Sequence, residues 1–197
     1  MTRLYFEETD VGEPRKAGPY LVSKNEIIQF AKQYDPVPSH IDEEAAARSI
    51  FGGLTACSAH TFSISILLDT RLQPRPHVLA GMGWDELRLP NAVRPGDELD
   101  LEVTVLEKRE SRSKSDRGII RSQIVLRNQK GETVLQCISN ILVARDRTRK
   151  HRPKKLELRQ NPTPGTYRKI RRFAAHGRRR RRGAASAEVV ALRRTGI

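Results

Sequence analysis

The chain has 197 residues, 37% of them hydrophobic and 30% charged, and carries a net charge of +14. That length favours one domain with an extension and allows a sizeable core. The charge argues for a nucleic-acid binder only until it is located. From Arg147 to Ile197 there are 18 Lys and Arg against 2 acidic residues, whereas the first 146 residues hold 19 against 21. Residues 1–146 form a nearly neutral domain, and the basic excess belongs to an extension, residues 147–197.

Residues 1–19, with Gly12, Pro14, Gly18 and Pro19, read as an irregular lead-in, and Tyr20–Val22 as a short strand. Ser23 has the chemistry of an N-cap, with Glu26 three residues on to complete a capping box. Ile27, Ile28, Phe30 and Ala31 then place an apolar stripe on one helix face, and Pro36 and Pro38 end that helix. Ile41 to Arg48 reads as a second, short helix capped by Asp42, with Glu43 and Glu44 favourable in its first turn. Phe51-Gly52-Gly53 is a hinge.

Leu54 to Leu68 contains no Asp, Glu, Lys or Arg, and His60 is its only strongly polar side chain. Its length suits a helix of about four turns, and a helix apolar all round is normally buried. It is too short for a membrane span, which needs roughly 20 apolar residues. From Pro76 onward the period becomes two. Val78–Leu89 is a long strand whose glycines allow a bulge, and Val93–Gly96 is a turn. Leu99, Leu101, Val103 and Val105 alternate with polar residues as in a half-buried strand. Ile119–Arg127 and about Thr133 to Arg145 follow as strands, joined by a turn at Asn128–Gly131. A helical first half followed by long strands with short turns implies an α+β fold, an antiparallel sheet curled around the helix 54–68.

Residues 147–197 differ in kind. Arg178–Arg182 are five consecutive arginines, and apolar residues are sparse. Such a segment buries too little apolar surface to offset its ordering entropy, so disorder is expected. Three roles stand open: a passive extension, non-specific binding of nucleic acid or anionic surfaces, or a grip on substrate phosphates.

Cys57 and Cys137 both lie in apolar runs without a CxxC pattern, and are expected as buried free thiols. The acidic start lacks an apolar h-region. Together these point to a reducing cytoplasm. No metal-ligand spacing surrounds His77, His151 or His176, and no nucleotide-binding glycine motif is present, so neither metal nor cofactor is expected. Met82 and Trp84 on an alternating strand read as core or dimer contacts.

Asp35-Pro-Val-Pro-Ser-His40 is the stretch with chemistry. A carboxylate and an imidazole lie five positions apart on a proline-stiffened loop beside the apolar helix. If both turn inward they can hold one water, as general acid–base work requires. Equally, Asp35 can cap a turn while His40 packs in the loop.

Here the chain resembles a known family. Tyr34-Asp-Pro-Val-Pro-Ser-His40-Ile-Asp-Glu-Glu-Ala-Ala, Phe51-Gly-Gly-Leu-Thr-Ala-Cys-Ser-Ala-His-Thr61 and Val93-Arg-Pro-Gly-Asp-Glu-Leu99 are similar to the MaoC-like dehydratases, (R)-specific enoyl-CoA hydratases of the hotdog fold. The resemblance covers about residues 5–146. It implies that Asp35 and His40 are catalytic and activate a water for addition to a trans-2-enoyl-CoA. It also implies that an N–H at Ser58, Ala59 or His60 binds the thioester carbonyl. A helix N-terminus suits a developing enolate oxygen. His60 itself, on a buried helix, is expected to bond a carbonyl as a structural histidine. A homodimer joined at sheet edges is implied too. Two positions depart from the pattern: Val37 stands where the motif has Asn, and Ser58 where the carbonyl-binding position is often Gly. Competing functions are a hotdog thioesterase, and a non-catalytic acyl-CoA binder whose tail takes nucleic acid or other anions.

Overall fold

The computed structural model describes residues 3–146; the arginine-rich segment expected to be disordered lies outside them. In chain order the elements are β1 (Arg3–Leu4), a short 3-10 turn (Phe6–Glu8), β2 (Pro14–Leu21), α1 (Lys24–Tyr34), α2 (Pro38–Ile41), α3 (Glu43–Ala47), α4 (Ser58–Arg71), β3 (Arg75–Pro76), β4 (Val78–Arg88), β5 (Glu98–Glu110), β6 (Arg117–Arg127) and β7 (Thr133–Ala144). Five strands make one antiparallel sheet in the order β2-β5-β6-β7-β4. β1 and β3 form a separate parallel pair. The sheet packs around α4, which touches β2, β5 and β7. This is the hotdog arrangement, as expected.

The lead-in is not irregular. β2 begins at Pro14, and proline and glycine are tolerated because β2 is an edge strand. The pairing with β5 shifts between Ala17 and Tyr20. Gly18 sits there at φ 140°, and an added Cβ would come within 2.8 Å of the Leu99 carbonyl oxygen. Only glycine fits that approach. Lys108 then pins the segment before β2, its Nζ donating to the carbonyls of Phe6, Glu7 and Thr9 at 3.0, 3.2 and 2.7 Å.

α4 starts at Ser58, four residues later than expected. Leu54–Cys57 is buried but not helical, so the apolar run combines two structures that hydrophobicity alone cannot separate. Along α4 the buried side chains are His60, Thr61, Ile64, Ser65 and Leu68. Ile64, Leu68 and Leu72 meet Leu101, Leu126 and Leu135 in the core. Each such leucine contributes about 1.5–3 kcal/mol by leaving water. The opposite face is open, with Ile66 and Leu67 44% and 41% exposed. The sheet therefore covers one face of the helix and does not enclose it. β4 is exposed along nearly its whole length. Met82 and Trp84 stand out from it at 54% and 47% exposure, which removes them from the core. Cys57 and Cys137 are buried free thiols, and burial pushes Cys137 up to about 11.

Candidate functional site

Two prolines build the loop that joins α1 to α4. Ser23 caps α1 by accepting the Glu26 N–H at 3.2 Å. The helix closes at Asp35, whose N–H reaches the Ala31 carbonyl at 2.8 Å. Asp35 precedes Pro36 and has φ −156° and ψ 69°, outside the α region. Val37 precedes Pro38 in the same way, and Pro38 opens α2 at the position where its missing N–H costs nothing. The helix expected from Ile41 to Arg48 is α3, capped by Asp42 Oδ1 on the Ala45 N–H at 2.8 Å, and α2, which carries His40, is a further turn before it.

This loop brings Asp35 and His40 together. His40 Nε2 lies 3.9 Å from Asp35 Oδ2, with the side chains 13% and 42% exposed. That is too far for a direct hydrogen bond, and one oxygen placed between them can contact both at about 2.8 Å. On the other side of the ring, Nδ1 is 2.7 Å from the Thr55 carbonyl oxygen and 3.3 Å from its hydroxyl. A carbonyl can only accept, so Nδ1 carries the proton and the Nε2 lone pair faces Asp35. Thr55, not anticipated from the sequence, is itself fixed by its N–H to the Ser39 carbonyl at 3.3 Å.

Three residues beyond Thr55, α4 begins. Cys57 is its N-cap and supplies no side-chain cap, so the first N–H groups, at Ser58 and Ala59, remain available as donors. Both residues are exposed. The chain thus places an acid–imidazole pair and an uncapped helix N-terminus on either side of Thr55.

His60 behaves differently from expectation. Its partner is a carboxylate, not a carbonyl: Nε2 stands 3.5 Å from Glu26 Oε1. The ring stacks on Phe30 with centroids 4.6 Å apart, and Nδ1 is buried without a hydrogen-bond partner. Burial lowers its pKa, opposed by the charge of Glu26. Glu26 therefore does not close a capping box. Its carboxylate takes the Tyr20 hydroxyl at 3.1 Å and the Ser23 hydroxyl at 3.3 Å instead. His60 is a packing residue of α4; its N–H, not its ring, belongs to the first turn. Among the described residues no three His, Cys, Asp or Glu side chains gather as metal ligands, and no helix is long and apolar enough to cross a membrane.

A cavity of about 510 Å³ lies at the other end of α4, walled by Ser65, Ile66, Asp69 and Leu72 and by the sheet; Asp35, His40 and Ser58 do not line it.

Comparison with known proteins agrees with this fold. Residues 7–128 match the family described as MaoC like domain. A Bacillus subtilis protein, uncharacterised YdeM, is 31% identical over 143 residues, covering 72% of this chain and all of that protein. The crystal structure of a MaoC-like dehydratase from Rhodospirillum rubrum is 40% identical with a TM-score of 0.69, covering 73% of this chain and 98% of that one. The R-hydratase PhaJ1 of Pseudomonas aeruginosa shares the fold at 23% identity and a TM-score of 0.60, over 73% of this chain and 88% of its own. Motif order, hotdog architecture and these matches converge, and the chain belongs to the MaoC-like domain family.

Proposed function

We propose that this protein is a hydro-lyase that adds water reversibly to a trans-2-enoyl-CoA, giving the (R)-3-hydroxyacyl-CoA. The observation that carries this reading is the Asp35–His40 pair, separated by 3.9 Å with Nε2 facing the gap. His40 Nε2 accepts a proton from a water in that gap while the water oxygen bonds to C3 of the enoyl group. Asp35 accepts the water's other hydrogen bond and orients it. The π electrons move onto the thioester oxygen, which the Ser58 and Ala59 N–H groups hold at the positive end of α4. The proton on His40 then passes to C2, so that water is added overall and no cofactor is consumed.

The working unit is a homodimer. β4 is an unpaired edge bearing Val78, Leu79, Met82 and Leu87, all at least 37% exposed. Edges of this kind are covered in stable proteins, and a second copy supplies the matching edge.

The test is loss of the enoyl-thioester absorbance with crotonyl-CoA. Wild type should consume the band, whereas Asp35→Asn and His40→Gln should fold and leave it unchanged. Turnover that persists in both variants would refute the assignment.

A further inference from the structure

The cavity at the C-terminal end of α4 carries polar chemistry that the Asp35–His40 pair does not use. Its volume, about 510 Å³, falls among small-molecule sites. One wall is the sheet. There the register sets Val105 opposite Ser122, Ser122 opposite Ser139, and Ser139 opposite Trp84, and all four line the cavity. A row across four strands thus reads apolar, hydroxyl, hydroxyl, aromatic. Ser122 is only 6% exposed. Neither serine hydroxyl is hydrogen-bonded to a described residue. Ser139 is half-buried, and the two hydroxyls, side by side in a largely apolar wall, are free to bond a polar group of an occupant.

Asp69, in the last turn of α4, lines the same cavity, and there its negative charge opposes the helix dipole. Among the described residues its one ion pair, to Arg75, is long at 3.9 Å, and its side chain is 42% exposed. The surrounding protein pushes its carboxyl pKa up, against Arg75 and Arg15. The charged lining consists of Glu8, Asp10, Glu13 and Asp69 against Arg15 and Arg75. That acidic excess repels an occupant ending in a carboxylate. α4 itself links the cavity to the chemistry. At ~1.5 Å per residue, Ile66 stands about 12 Å beyond Ser58 along the helix axis, within reach of a long acyl chain.

We infer that the cavity takes the distal part of an acyl chain bearing a hydroxyl group, which donates to Asp69 and accepts from Ser122 and Ser139. This assignment rests on the acyl-thioester reading above and names its substrate class: hydroxylated long-chain acyl thioesters in preference to plain or dicarboxylic ones.

Trp84 is the only tryptophan of the chain, and it lines the cavity edge-on to Phe62. Its fluorescence therefore reads occupancy without any turnover. The full-length protein is titrated with three saturated thioesters: decanoyl-CoA, ω-hydroxydecanoyl-CoA and the dicarboxylic sebacyl-CoA. The hydroxylated chain should change Trp84 emission at about a tenfold lower concentration than decanoyl-CoA, and sebacyl-CoA should bind most weakly. The double variant Ser122→Ala, Ser139→Ala should collapse that margin, and Asp69→Leu should reverse it toward decanoyl-CoA. Equal affinities, the opposite order, a margin that survives both variants, or no emission change with any of the three would overturn the inference. Turnover of crotonyl-CoA and of the trans-2-enoyl form of ω-hydroxydecanoyl-CoA is measured in parallel and judges the hydratase reading separately. If the margin appears without turnover, the cavity assignment stands and the reaction assignment falls.

Discussion

The two histidines nearest the start of α4 each face a carboxylate at similar distance, 3.9 Å for His40 with Asp35 and 3.5 Å for His60 with Glu26. What differs is everything around them. His40 is held by its Nδ1 on a backbone carbonyl, and its acid lies on an open loop. The gap between the two is reachable by water. His60 is 6% exposed, stacked on Phe30 and left with an orphan Nδ1. Its acid is already engaged by Tyr20 and Ser23. A carboxylate beside an imidazole thus leaves an open gap in one place and forms a packing arrangement in the other. Solvent access and the state of the second ring nitrogen decide which.

Mutating each histidine should separate these roles. His40→Gln should lower kcat by about a hundredfold to ten-thousandfold, the usual contribution of general acid–base catalysis, with the melting temperature nearly unchanged. His60→Ala should do the reverse. It removes a buried ring stacked on Phe30 and should cost about 2–4 kcal/mol of stability, read from urea midpoints. A variant pair that lost activity and stability together would erase the distinction.

The smallest effect is on pH dependence. Burial lowers the His60 pKa in the fold, so the unfolded chain takes up the proton first. Stability should be flat above an unfolded value near 6.5 and decline as pH falls below it toward the lowered folded value. Glu26→Gln removes the charge that opposes this shift and should steepen the acid-side decline, whereas His60→Leu should remove that share of it. Urea midpoints from about pH 8 to about pH 5 measure all three. An unchanged slope in His60→Leu would show that other groups govern the acid side.

The sequence made the regular parts of this fold legible and left the junctions obscure. Ser23 and Asp42 announce their helices because a cap is a local bond. β5, β6 and β7 announce themselves because alternation is local too. Only the end of β2 is legible, as the strand expected at Tyr20–Val22, since Pro14, Gly18 and Pro19 read as breakers unless the strand is known to lie at an edge beside Leu99. The start of α4 was hidden because Leu54–Cys57 is buried in either conformation. Asp35 and His40 stand out in the sequence by their spacing and their resemblance to the family motif, and the loop brings them within 3.9 Å, whereas Thr55 does not stand out, since it meets His40 mainly through a backbone carbonyl that every residue has. Glu26 was assigned to a cap because its partner His60 is distant in sequence. The cavity row is invisible without strand register. Val105, Ser122, Ser139 and Trp84 acquire a relation only when the strands pair.

The central claim, that a water held by Asp35 and His40 adds to the enoyl carbon, is tested most directly by running crotonyl-CoA turnover in oxygen-18 water. Hydration should leave heavy oxygen in the C3 hydroxyl of the product, the thioester intact and no free thiol released. Heavy oxygen in a carboxylate, with free CoA thiol appearing in step, would contradict it and make the protein a thioesterase.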